Sequence, residues 1–174
     1  MTHRPKTPIV VDTSVLINFL RVDRLDLFAR HPDFEFLVTE HVKAEVTRNY
    51  PQQLQRLLDG CQSGAVCEIS VNNLAELETF NTLFSGKRLG AGECAAIAAA
   101  YHRGLLIAVD DKQAKKAAHR LCKPHSVLDT VDLMVFFIRA GLLDVAQADE
   151  IKRDWEANHR FRLPFNSFQQ KISP

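Results

Sequence analysis

The sequence predicts an α/β fold on a largely parallel central sheet. Three observations carry that expectation. Short β-branched runs, at Pro8 to Val11, Phe34 to Val38 and Leu105 to Val109, alternate with longer segments of helical period. The chain has 174 residues, enough for one domain with a real core. Apolar residues make up 46% of it, which excludes a disordered chain.

The elements follow in order. "PIVV" reads as a buried strand that stops at Asp12, and "TSVLINFLRV" then takes a helical period. "FEFLV" is a second strand, after which Thr39 caps a helix through "EHVKAEVTRNY" that Pro51 closes. "PQQLQRLLDG" predicts a short helix ending at Gly60, and "AVCEISV" a strand or an extended edge piece. "NLAELETFNTLF" is amphipathic. "LGAGECAAIAAAYHRG" is the clearest helix, with an alanine run and a C-terminal stop at Gly104. "LLIAV" is the third strand, followed by the basic helix "DKQAKKAAHRL". "SVLDTVDLMVFFIRAGLL" opens near a last short strand and becomes a helix ending at Gly141. Asp144 caps a final amphipathic helix, and the tail "RFRLPFNSFQQKISP" has no clear period. Without repeats or low-complexity linkers, one domain is expected over residues 1–174, with 144–174 as a C-terminal helix and tail.

Composition bounds the partners. With 22 basic and 21 acidic residues the net charge is +1, so no global basic field marks nucleic acid, though a local patch is not excluded. The four cysteines form no CxxC pair, and no His stands at zinc-finger spacing, so reduced intracellular thiols are expected. "MTHRPKTPIVV" lacks a signal-peptide core, and no apolar stretch reaches the ~18 residues of a membrane span. A cytoplasmic chain with no membrane partner is the expectation.

The acidic residues carry the chemistry. Asp12 closes one strand, and Asp110 and Asp111 close another. In a parallel sheet these ends share an edge, where ligands bind. Glu45 in "VKAEV" and Glu93 in "GAGEC" lie among apolar neighbours, where an unpaired acid is costly. Taken singly, each has a plain alternative: Asp12 and Asp111 as helix N-caps, Glu93 as a helix-dipole partner, Glu45 as a solvated helix residue. Their joint placement favours a shared site. Oxygen donors without His or Cys suit Mg²⁺ or Mn²⁺ rather than zinc.

Four segments then resemble the PIN-domain family of Mg²⁺-dependent ribonucleases: "VVDTSVLI" with Asp12 and Ser14, "VTEHVKAEV" with Glu45, "LGAGECAAIAAA" with Glu93, and "LLIAVDDKQAKKAA" with Asp110 and Asp111. The resemblance spans Ile9 to Leu143. It implies a three-layer α/β/α sandwich, a metal pocket and endonucleolytic cleavage of RNA by water. Asp12, Glu45, Glu93 and Asp110 would be the catalytic set, and Asp12, Glu93, Asp110 and Asp111 the metal donors. Many small members, the VapC-like group, are toxins of toxin–antitoxin modules, which implies an antitoxin partner and a homodimer as candidates. The "GE" and "DD" forms are closer to a less-studied branch. Lys115 stands where the family often has Arg, keeping the charge but losing the bidentate fork. Asp129 and Asp132 occupy a stretch that is often Gly-rich, and are expected to cap a helix.

Lys112, Lys115, Lys116, His119 and Arg120 form a basic run beside the acids, with Lys87 and Arg88 upstream of Glu93. Helical spacing puts Lys112, Lys116 and Arg120 on one face. With Ser14, residues Lys112, Lys115, Lys116 and Arg120 are the expected substrate contacts on a phosphate chain; the plain alternative is a solvated helix face. Arg160 and Arg162 are further candidates, for RNA or for a protein partner. Two other functions compete: a non-catalytic RNA- or protein-binding module on the same fold, and a phosphotransfer receiver. The receiver is disfavoured because the aspartate pair comes late in the chain.

Overall fold

The computed structural model describes residues 5–172. Five parallel strands form one sheet: β1 (Thr7–Val11), β2 (Phe34–Thr39), β3 (Cys67–Ile69), β4 (Leu106–Ala108) and β5 (Val127–Leu128), in the order β3-β2-β1-β4-β5. The expected first two strands are each one residue longer, at Thr7 and at Thr39. The expected Leu105–Val109 strand is shorter, because β5 is only two residues long and pairs with Ile107 and Ala108 alone. Asp110 therefore stands just beyond β4 rather than as its last residue.

Alternation along β1 divides the core. Ile9 and Val11 face one side, packed with α1 (Thr13–Arg21), α2 (Asp26–Arg30), α8 (Thr130–Arg139) and α9 (Val145–Asn158). Val10 faces the other, with Ile107 and the alanine faces of α6 (Ala91–Arg103) and α7 (Lys112–Leu121). This period-two split makes an α/β/α sandwich. On the first side Phe19, Phe28, Phe36, Phe137 and Trp155 interlock, with Phe28 stacked on Phe36 at 4.2 Å and Phe19 edge-on to Trp155 at 5.7 Å. The small side chains of α6 let it lie close against the sheet.

The remaining helices are α3 (Glu40–Asn49), α4 (Leu54–Gln62), α5 (Leu74–Ser85) and α10 (Gln169–Ile172). Thr39 caps α3 as expected, its hydroxyl accepting from the Val42 amide at 3.3 Å. Gly104 ends α6 in the left-handed conformation, φ 64°, where glycine pays no Cβ penalty. Gly60 does not end its helix. α4 runs through it to Gln62, and a Cβ there would lie 2.6 Å from Leu25 Cδ1, so the leucine tip would have to shift to admit one. The short α2 and the tail helix α10 have too few residues to show a period.

The order of the sheet locates its crevice. From β1 the chain steps outward to β2 and β3 on one side and to β4 and β5 on the other. The strand order reverses beside β1, and the carboxyl ends of β1 and β4 flank that switch point. Among the described residues, no helix is long and apolar enough to cross a membrane.

Candidate functional site

Asp12 leaves β1 and caps α1. Its amide donates to the Ala108 carbonyl at 3.0 Å, tying it to the end of β4. The side chain is fully buried. One oxygen, Oδ2, accepts from the Ser14 hydroxyl at 2.7 Å and from the Ser14 amide at 3.3 Å. The other, Oδ1, is buried with no hydrogen-bond partner. Burial pushes the carboxyl up to about 6, against the pull of Ser14 and with a further push from Glu45.

Ser14 bridges the two strand ends. While donating to Asp12, its Oγ accepts from the Asp110 amide at 3.1 Å. Asp110 is held by α8 and α1 together: Oδ1 accepts from the Thr130 amide at 3.0 Å, and Oδ2 from the Thr130 hydroxyl at 2.6 Å and Asn18 Nδ2 at 2.9 Å. Its pKa is raised, mainly by burial, with Thr130 opposing. Asn18 is in turn fixed through its backbone, whose carbonyl accepts from Trp155 Nε1 at 2.7 Å. Asn18 and Thr130 are missing from the sequence reading. A lone amide on the apolar face "LINFL" was a signal for the first; nothing local marked the second.

Glu45 and Glu93 enter from α3 and α6. Glu45 Oε2 accepts from Thr13 Oγ1 at 2.6 Å, and Oε1 from the Gly92 amide at 2.8 Å. A Cβ at residue 92 would lie 2.5 Å from Glu45 Oε2 and 2.8 Å from Thr13 Oγ1, so glycine is what lets these helices meet. Glu93 reaches back to the Gly90 amide at 2.9 Å, the one half of a capping box that a glycine N-cap allows. Burial pushes Glu93 up to about 7, and Asp12, Asp111 and Glu45 add like-charge repulsion that the Gly90 bond only partly offsets. Asp111 caps α7, with Oδ1 accepting from the Gln113 and Ala114 amides at 2.8 and 2.9 Å. The four segments therefore do meet at one sheet edge. Among the described residues, however, no three His, Cys, Asp or Glu side chains stand already gathered for a metal.

The basic run divides in two. Lys112, Lys116, His119 and Arg120 join Arg88 along a groove of about 790 Å³ between the end of α5 and α7. Lys115 also lines it but turns its Nζ to Asp129 at 2.7 Å. Burial alone would raise Asp129; the Lys115 contact and the α8 amides hold it below the usual carboxylate range. Asp129 and Asp132 form the capping box of α8, as expected of them. Arg160 and Arg162 are exposed on the tail.

A family model described as a PIN domain (DUF3368) matches residues 8–163. The chain belongs to the PIN-domain family. No curated protein matches the sequence. PIN domains are generally nucleases and typically use divalent metals, so membership gives this chain a nuclease-type fold.

Proposed function

We propose that this chain is a divalent-metal-dependent endoribonuclease, read as a single PIN-like domain over residues 1–174 with 144–174 as its C-terminal helix and tail. The observation that carries it is the unmet charge on Asp12 and Glu93. One is fully buried with an oxygen unpartnered; both are pushed up by burial and by neighbouring acids. A cation relieves that cost, and an all-oxygen donor set suits Mg²⁺ or Mn²⁺. Asp12 and Glu93 would hold the ion, with Asp110 and Asp111 beside them. Bound there, a divalent ion supplies Lewis-acid polarisation of a phosphoryl oxygen and lowers the pKa of a water.

The protein's own residues do the rest. Asn18 and Thr130 fix the Asp110 carboxylate, and Ser14 ties it to Asp12. Glu45 positions Glu93 by clamping Gly92 and Thr13, and so acts on the site through the helices. Lys112, Lys116 and Arg120 draw the phosphate chain along their groove, while Lys115 holds Asp129 at its near end. Water is the nucleophile; among the described residues no His is hydrogen-bonded to Asp12, Glu45, Glu93 or Asp110.

The test is cleavage of a defined RNA pool with Mg²⁺ or Mn²⁺ by the wild type and by Asp12→Asn and Asp110→Asn. Loss of cleavage in the variants supports the reading. A wild type that cuts nothing, or variants that cut equally, overturns it. One observation favours the non-catalytic binding module: Glu45 and Asp110 already spend both carboxylate oxygens on protein donors, and Asp111 one of its two. Calorimetric titration with Mg²⁺ and Mn²⁺ decides, since a module of that kind binds neither. A toxin role, an antitoxin partner, a homodimer and a cytoplasmic location belong to the same proposal. Co-purification with the neighbouring gene product and light scattering test the two partners.

A further inference from the structure

We propose that the cleft between α8 and the C-terminal tail is a nucleobase pocket, seating one unstacked, amino-bearing base of an RNA strand next to Asp110. Its ligand class rests on the nuclease reading above. The cleft holds about 580 Å³, and Asp110 is part of its wall; pockets of this size take a small ligand group.

Three half-buried rings line it: Phe136 from α8, and Phe161 and Phe165 from the tail. Each is braced from behind. Phe136 stacks on Phe34 at 4.9 Å, Phe161 meets Trp155 edge-on at 5.4 Å, and Phe165 meets Phe168 edge-on at 5.1 Å. Rings fixed in this way offer a base rigid apolar surface at small entropic cost.

The polar groups say which part of a nucleotide enters. Asp129 and Asp132 share the wall with Asp110. The three carboxylates repel a phosphate; Asp110 and Asp129 are engaged by protein donors, which leaves Asp132 Oδ1 to accept a hydrogen bond from the amino group of a neutral base. Cations stand on the same cleft for the flanking phosphates: Arg139, and Lys171 with its Nζ 4.9 Å over the Phe165 ring. Lys115 lines both this cleft and the basic groove, which makes the two continuous. Phe165 and Lys171 lie beyond the residues that the family model matches.

The experiment uses the full chain in EDTA, so that binding is read apart from cleavage. Heptaribonucleotides carry 2-aminopurine at each position in turn, and fluorescence quenching reports stacking. Quenching confined to one position is expected. Phe165→Leu keeps the apolar contact with Phe168 but removes the π face; it should restore fluorescence there and weaken binding by roughly 5- to 50-fold. Uridine at that position should bind more weakly than the amino-bearing bases. The pocket is overturned if no position is quenched, or if Phe165→Leu quenches and binds as the wild type does. A chain that cuts no RNA yet shows the position-specific quench keeps the pocket and loses the nuclease reading. Cleavage without any such quench does the reverse.

Discussion

Asp12 and Glu76 are both fully buried carboxylates, yet their proton affinities move in opposite directions. Glu76 lies on α5, and Arg103 at the end of α6 grips it with Nε–Oε1 at 2.6 Å and Nη2–Oε2 at 3.0 Å. The same Nη2 also donates to the Ser70 carbonyl at 2.6 Å. That clamp, outweighing burial, holds Glu76 below the usual carboxylate range. Asp12 has hydrogen bonds but no cation, and it is pushed up. Burial by itself therefore does not mark a working acid. Burial without a resident cation leaves a carboxylate charge uncompensated, which is what the proposed metal site would relieve.

The contrast can be broken most severely at Arg103. Arg103→Ala strands Glu76 without its partner and should cost about 3 kcal/mol, read by urea denaturation; the partly exposed arginine keeps this at the low end for a broken buried pair. Asp12→Asn should behave oppositely. Asparagine still caps α1, so folding is retained, while RNA cleavage falls roughly 100-fold or more, a loss of about 3 kcal/mol in transition-state stabilisation.

The pH dependence sharpens the same point. The folded chain holds the Asp12 proton to higher pH than the unfolded chain does. Its contribution is fullest below about pH 4, the ordinary Asp value being 3.8, and is lost as pH rises through about 6. In metal-free buffer, thermal melts of Asp12→Asn and wild type should agree near pH 4. Above pH 6 the variant should melt higher, by roughly 3–6 °C. Saturating Mg²⁺ should narrow the gap. Equal melts across the range would mean that Asp12 carries no unmet charge. The smallest effect belongs to the exposed rim: Lys116→Ala should lower the salt slope of RNA binding by about 0.7, one phosphate contact on a single strand, with stability unchanged.

Sequence pattern was enough for the sheet and for bringing the four acidic segments to one edge of it. Strands such as "PIVV", the Thr39 cap and the Gly104 stop are local signals, and parallel strand order brings their carboxyl ends together. What stayed hidden depends on distant contacts. Asp110 is answered by Asn18 and Thr130, 92 and 20 residues away. Lys115 looked like a free phosphate contact until α8 placed Asp129 against it. Nothing local marks Glu76 on its amphipathic helix, because its arginine is 27 residues on. The tail gave no period, since its aromatic residues pack one by one on the domain rather than along a helix face.

The Glu45 clamp on Thr13 and Gly92 also bears on how the molecule comes together. One carboxylate touches α1 and α6 while standing on α3, and there is no clearance for a larger residue at 92. The joint closes only when all three helices have docked, like a lock whose bolt needs every tumbler aligned. A chain with α6 undocked would lose Glu93 from the crevice and leave Asp12 open to water. On the proposed nuclease reading, partly folded molecules that meet RNA as they leave the ribosome would then be silent until α6 docks.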